Sequence, residues 1–312
     1  MMLKTVIFAL LPILVTMLLG AFAAKRGDFD STDSSRLIKF VMNYALPMHV
    51  FGGIWATKRK LIVEDIPLAL WMLGAMLVSY LLLYFIYWKI VKNTSGLSSL
   101  RALSVADPSI PFIGSAVLPL FFDETISAID IGIASLIINV ILVPFVFEAL
   151  AAEVNKEDGP KISVGKRLLK GLTKPLVLAA FLGFILSICG WSMPSILEPT
   201  FTVLGKCAGG VAMFATGIVL ATRKISFNPQ VWITVGLKNI AYPAIIWVLM
   251  VATGMPSVLT RIVVITMAIP TATLPTNLAI DYGIHESEMA STQFLSTVLS
   301  FVTLSCAMLL LQ

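Results

Sequence analysis

Ser104-Val-Ala-Asp-Pro-Ser-Ile-Pro-Phe-Ile-Gly114 and Thr266-Met-Ala-Ile-Pro-Thr-Ala-Thr-Leu-Pro-Thr-Asn277 are two apolar stretches, each interrupted by a pair of prolines. Proline lacks an N–H and its ring clashes with the carbonyl four residues back, so Pro108, Pro111, Pro270 and Pro275 each break or kink a helix. Inside a bilayer a freed carbonyl finds no water. A break is tolerated there only within protein or against a wet cavity. Paired breaks in corresponding halves of a chain point to the binding site of a secondary transporter.

The surrounding composition places these breaks in a membrane. The chain is 58% hydrophobic and 12% charged, with mean hydropathy +0.95, where a soluble domain is about 25% charged. Apolar segments occupy about residues 4–24, 37–56, 67–90, 99–122, 126–150, 172–190, 198–221, 230–253, 258–282 and 287–311, each long enough to cross a bilayer. The net charge of +5 comes from short loops and does not indicate nucleic-acid binding. Cys189, Cys207 and Cys306 lie within apolar segments at unrelated spacings, which excludes a disulfide framework or zinc site. No metal or cofactor is expected, and no nucleotide-binding motif suggests an ATP-driven pump. Lys4, the following apolar run and Ala21-Phe-Ala23 imitate a signal peptide. Cleavage would leave Lys25 and Arg26 outside, against the charge rule, so the segment reads as a retained span.

Fifteen loop Lys and Arg residues fall on one side of this topology and five on the other. Positive loops remain in the cytoplasm, so both termini are expected outside. The charged linker after Glu153 divides the chain into a first five-helix repeat (residues 1–155), a cytoplasmic loop (156–171) and a second five-helix repeat (172–312). An odd number of spans per repeat makes the second enter the membrane in the opposite sense. The expected fold is therefore all-α integral membrane, with ten transmembrane helices as two inverted five-helix repeats and broken crossing helices four and nine.

Several residues are candidates for chemistry. Asp107 is a carboxylate at membrane depth, which is costly and so suspect as functional. The competing reading makes it the N-cap of a half-helix starting at Pro108. Asn277, Thr271, Thr273, Thr276, Ser109 and Ser115 offer neutral donors near the breaks. They either bind a carboxylate beside half-helix N-termini or re-satisfy kinked backbone. Lys206 and Lys238 lie roughly eight residues from a span end, about 12 Å deep at about 1.5 Å per residue. Each either snorkels or neutralises an anion or Asp107. Lys206 is favoured because Gly205 and Gly209 permit close helix approach beside it. Asn43 shares a helix face with Pro47 and either bonds the freed carbonyls or contacts cargo. His49 is a candidate proton carrier or an interior donor. Thr292, Ser296, Ser300 and Thr303 form a hydroxyl stripe suited to helix packing or to lining a path.

Asn43-Tyr-Ala-Leu-Pro47, Phe112-Ile-Gly114, Pro270-Thr-Ala272 with Leu278-Ala-Ile-Asp-Tyr-Gly283, and Ser291-Thr-Gln-Phe-Leu-Ser-Thr-Val-Leu-Ser300 together resemble the auxin efflux carrier family, in its bacterial branch of malonate and malate carriers. The resemblance covers the whole chain. It implies a scaffold and a moving transport domain, helices four and nine crossing at the substrate site, and small organic anions as cargo. It also implies a homodimer through scaffold helices that include spans two and seven. Two positions depart from the family pattern: Ser109 stands where Asn is frequent, and Gly114-Ser-Ala116 lacks a following proline. The Asp-Pro-Ser-Ile-Pro break is close to members associated with small dicarboxylates such as oxalate.

The function expected is secondary transport of dicarboxylates such as malonate, malate or oxalate by alternating access, coupled to protons or membrane potential. Asp107 and His49 are the coupling candidates; Ser109, Asn277, Thr271, Thr273, Lys206 and Asn43 are the substrate-binding ones. The alternatives are a channel, a transporter-like sensor, or a carrier of an amphipathic monocarboxylate. An enzyme is disfavoured, since a second mid-depth aspartate, a Ser/His pair and a His-Glu-x-x-His motif are all missing. The expected setting is a bacterial cytoplasmic membrane.

Overall fold

The computed structural model describes residues 2–60, 66–154, 173–222 and 227–311. The loop expected at 156–171 lies outside the described residues. In chain order the helices are α1 (Met2–Arg26), α2 (Ser31–Ala56), α3 (Ile66–Ile90), α4 (Ser95–Ala106), α5 (Ile110–Phe121), α6 (Glu124–Leu150), α7 (Pro175–Ile188), α8 (Glu198–Gly205), α9 (Cys207–Thr222), α10 (Pro229–Ala252), α11 (Ser257–Ala268), α12 (Leu274–Tyr282) and α13 (Glu286–Leu310). Among the described residues, six runs are long and apolar enough to cross a membrane: α2, α3, α6, α10, α13 and Pro199–Val219 across α8 and α9. Large apolar side chains such as Leu70, Val78, Leu82, Ile240, Ile245 and Val248 are exposed. Such faces suit lipid and would be a liability in water. The protein is an all-helical, multi-pass membrane protein.

Interior prolines account for three of the irregular turns. A wide π-type turn at Val41–Ala45 precedes Pro47, one at Ile137–Leu142 precedes Pro144, and one at Leu237–Ala241 precedes Pro243. The wider turn carries the carbonyl four residues back away from the proline ring, so the helix continues through the defect. At α2 the Leu46 N–H bonds the Val41 carbonyl across this turn. Asn43 sits half-buried within it.

The described chain packs as two compact units. Unit 1 comprises Met1–Leu70, Ile110–Leu136 and Leu172–Arg223; unit 2 comprises Trp71–Ser109, Ile137–Gly171 and Lys224–Gln312. Each unit draws on both expected repeats, because a repeat is a relation along the chain whereas a compact unit is one of packing.

Unit 1 is built on small residues. A Cβ on Gly20 would collide with the Phe214 carbonyl, and one on Gly217 with the Met17 carbonyl, so α1 and α9 approach backbone to backbone. Gly53 meets Ala128, and Gly132 and Gly183 meet Ile54, seating α2 against α6 and α7. Phe51, Trp55 and Phe201 cluster with ring centroids 5.2–6.1 Å apart. The Trp55 indole N–H donates to the Trp191 carbonyl at 2.8 Å. Asp30 caps α2, accepting from the Thr32 and Asp33 amides at 2.7 and 2.9 Å.

Unit 2 encloses α4, a helix too polar to face lipid. Ser98, Ser99 and Ser104 on it are fully buried. Tyr80 and Ser99 hydroxyls bond at 2.7 Å, and Tyr84 and Ser95 hydroxyls at 3.0 Å. The Glu153 carboxylate accepts from the Thr94 hydroxyl and from the Gly96 and Leu97 amides. It thereby answers orphan donors and the positive end of the helix dipole. Arg101 was expected as a loop charge. It is instead buried in α4, clamped by Glu288 of α13 at 2.7 and 3.0 Å. A bidentate partner is what allows a guanidinium at that burial.

Candidate functional site

The two broken stretches meet within unit 2. α4 ends at Ala106 and α11 at Ala268, and the unwound residues pair as an antiparallel bridge between Pro108 and Thr271. The Ser109 N–H donates to the Pro270 carbonyl at 2.8 Å, and the Ala272 N–H to the Asp107 carbonyl at 3.0 Å. This pairing overturns one expectation. Asp107 does not cap a half-helix beginning at Pro108; it closes α4, its N–H bonding the Leu103 carbonyl at 2.9 Å. Helix resumes only at Ile110, because residues 107–109 take extended geometry to pair with 270–272.

Two carbonyls freed at the breaks, those of Ser104 and Met267, find side-chain donors. In an unbroken helix the Ser104 carbonyl would receive an N–H from position 108, which is proline. The Thr271 hydroxyl supplies that bond instead, at 2.8 Å. The Met267 carbonyl would be served by the Thr271 N–H, which turns to the Ser296 hydroxyl oxygen at 3.0 Å. Lys238 Nζ takes over the Met267 carbonyl at 3.2 Å. Ser296 in turn donates to the Asn239 amide oxygen at 2.6 Å, and the Asn239 amide nitrogen returns a bond to the Ser296 carbonyl at 2.8 Å. For Thr271 and Ser296, then, the hydroxyls do re-satisfy the broken backbone. The stripe on α13 packs inward: Thr292, Ser296 and Ser300 are buried.

Charge is placed in the same region. Lys238 is fully buried, its ammonium 5.0 Å from the Tyr242 ring centroid. Asp107, also buried, lies close enough to act on it electrostatically. The ammonium sits at the carbonyl end of α11, where the helix dipole is negative, which adds to its stabilisation. Tyr242 donates to the Ala75 carbonyl at 2.9 Å. Lys206, preferred from sequence as the counter-charge, is exposed and belongs to unit 1.

The remaining candidates divide between the units. In unit 2, Ser109 is buried, Thr273 half-buried and Asn277 exposed in the first turns of α12. Pro270 and Pro275 are buried there too. In unit 1, Asn43, Pro47, His49 and Pro111 accompany Lys206. Gly205 lies where a Cβ would come within 3.0 Å of His49 Cα, and Gly209 where one would come within 3.1 Å of Ala116 Cα. The small-residue spacing does bring helices together, as expected. The cavity beside it measures about 270 Å³ and is lined by His49, Ser115, Glu124 and Lys206 among others. Sequence reading offered Lys238 beside Lys206 but preferred Lys206, and it did not single out Asn239, Arg101, Glu288 or Glu124. Asn239-Ile-Ala-Tyr-Pro243 repeats the Asn-x-Ala-x-Pro spacing of Asn43–Pro47 and was the available signal.

The sequence pattern of the family described as "Membrane transport protein" matches residues 5–308. "Uncharacterized transporter YfdV" of Escherichia coli (strain K12) is 33% identical over 264 residues, 84% of each chain. The "Putative malonate transporter" of Rhizobium meliloti is 22% identical over 303 residues, covering 95% of this chain and 92% of its own. "Auxin efflux carrier component 8" of Arabidopsis thaliana is 25% identical over 343 residues, covering 92% of each.

Proposed function

The chain belongs to the auxin efflux carrier family of membrane transport proteins, not to an enzyme family, and on that premise we propose that it is a secondary carrier of small organic anions, dicarboxylates such as malonate, malate or oxalate. The observation that carries this reading is the antiparallel pairing of the two broken stretches, with Lys238 and Asp107 buried beside it. Side-chain donors at the Ser104 and Met267 carbonyls support reading the break as a built feature, since an orphan carbonyl in hydrocarbon is costly. Beyond the pairing, α12 begins with its amides and the positive end of its dipole, flanked by Thr273 and exposed Asn277. Together these provide neutral donors and partial positive charge for a carboxylate. The name of the Rhizobium relative agrees with this cargo class.

The working cycle in this reading is alternating access in a bacterial cytoplasmic membrane, with ten spans in two inverted repeats and both termini outside. Asp107 and His49 are the sites at which protons or membrane potential act. Asn277, Thr273 and Ser109 contact cargo at the crossing, and the carrier works as a homodimer. Uptake of labelled oxalate, malonate and malate into proteoliposomes tests the reading, with wild type beside Asn277→Ala. Saturable uptake with counterflow supports a carrier. Conduction without counterflow indicates a channel, and binding without uptake a sensor.

A further inference from the structure

Unit 2 carries, besides the crossing, a groove of about 340 Å³ between α10 and α13, floored by Val264 of α11. Near their N-terminal ends the two helices pack closely, with Val231 and Val235 buried against Leu295. Asn239 then ties them together, its amide exchanging bonds with Ser296. At that tie, where α10 makes its π-type turn over Leu237–Ala241, the groove opens. Asn239, Pro243 and Trp247 recur at four-residue spacing along α10, and Thr303, Ala307 and Leu311 along α13, so each helix turns one face to it. Ile240, Trp247, Val302, Cys306 and Leu310 are exposed along its sides. Among the described residues that line it, none is charged. The Asn239 amide is committed to Ser296, and the Thr303 hydroxyl donates to the Leu299 carbonyl at 3.3 Å.

Three features select the occupant. A lining without charge and with its amide and hydroxyl already bonded suits neither an anionic cargo nor a phosphate headgroup, which would be desolvated there without a partner. The sides of the groove face hydrocarbon, and an empty wedge would forfeit dispersion contacts along both walls. The length also fits. The stripe on α13 rises about 13 Å from Val302 to Leu311, and that on α10 about 12 Å from Asn239 to Trp247, at about 1.5 Å per residue. One leaflet of a hydrocarbon core about 30 Å thick is about 15 Å deep. Asn239 lies near the middle of α10 and Leu310 ends α13, so the groove runs from mid-membrane to one surface. We propose that it holds one acyl chain of a membrane phospholipid, methyl end against Asn239 and ester end beside Leu310 and Leu311. The chain braces the crossing from behind, because Asn239 holds Ser296, whose hydroxyl receives the Thr271 N–H. This inference needs only the membrane setting and holds whatever the cargo is.

The test places the full chain in nanodiscs with a trace of phosphatidylethanolamine that carries a photoreactive diazirine on one acyl chain, near its methyl end or near its ester. Adducts are mapped by mass spectrometry. Methyl-end labels are expected on Asn239, Pro243, Val302 and Thr303, and ester-end labels on Trp247, Leu310 and Leu311. Each set should exceed the adducts on the exposed α3 residues Leu70, Val78 and Leu82 by at least about tenfold. Ala244→Phe with Ala307→Phe fills the groove and is expected to abolish that excess while leaving the α3 adducts unchanged. Stripping phospholipid in detergent is expected to lower the thermal midpoint of the wild type more than that of the filled variant; equal falls would overturn the bracing of the crossing. Adducts spread evenly over α3 and the groove would mean surrounding bulk lipid only and overturn the proposal. So would an excess that survives filling, a reversed depth order, or an excess displaced by free fatty acid but not by unlabelled phospholipid. The depth order is read on the wild type, so it decides the matter even where the filled variant fails to fold.

Discussion

At the crossing in unit 2, Thr271, Ser296, Asn239 and Lys238 turn their donors toward carbonyls, hydroxyls and amides of the protein itself. In unit 1, Lys206 and Glu124 line a cavity and are exposed, while His49 Nε2 is buried with no protein hydrogen-bond partner. Both regions contain helix breaks and ionisable side chains, yet one is chemically closed and the other open. Polar residues at a broken helix first serve the break. At the crossing, Asn277 of α12 is left exposed after that accounting, and it is there that cargo is proposed to bind.

The contrast can be attacked first where the crossing is most tightly held. Glu288→Ala leaves the Arg101 guanidinium buried without its partner and is expected to destabilise by about 3–5 kcal/mol. The readout is a large fall in thermal midpoint in detergent. Replacing Arg101 and Glu288 together by leucine is expected to recover most of that loss, since a buried pair is often no better than apolar packing. A null result for Glu288→Ala would mean that this clamp is not holding α4.

Ser296→Ala removes the acceptor of the Thr271 N–H and one partner of Asn239, at an expected cost of about 1–3 kcal/mol. Ser300→Ala removes only a bond to the Thr297 carbonyl three residues back on the same helix, and should stay within about 0.5 kcal/mol. Equal effects of the two would erase the distinction between hydroxyls that serve the break and those that do not. Gly209→Ala sets a methyl 3.1 Å from Ala116 Cα at the cavity wall. It is expected to cost about 1 kcal/mol through overpacking, read as a lower thermal midpoint in detergent. Last, Lys206→Gln and Asn277→Ala alter exposed side chains and should leave the thermal midpoint nearly unchanged, within about 0.5 kcal/mol. Their effects belong in binding and uptake, so a purely structural role would show the reverse pattern.

Much of this arrangement was legible from the chain. The double prolines at 108/111 and 270/275 marked the unwound residues, because proline's missing donor acts locally. Gly205 and Gly209 marked a close helix approach for the same reason: a missing Cβ is a local fact with a local result. What the sequence did not disclose is pairing at long separation. That residues 107–109 bond to 270–272, that Arg101 finds Glu288, and that Lys238 caps α11 depend on which elements lie side by side. Asp107 followed by proline matched a helix-start pattern, and the tertiary pairing overrode it. Lys206 looked like the better ion because small residues flank it, yet its neighbours place it in an open cavity while Lys238 reached the broken backbone.

The most direct test of the central claim, that this chain is a carrier whose cargo meets the ninth-span break, is labelled malonate uptake and counterflow in proteoliposomes with wild type beside Asn277→Ala. The account predicts saturable uptake and exchange by wild type, and loss of both in a variant that keeps its thermal midpoint. Undiminished transport by Asn277→Ala would contradict the site, and wild type that moves no small carboxylate under any gradient would contradict the function.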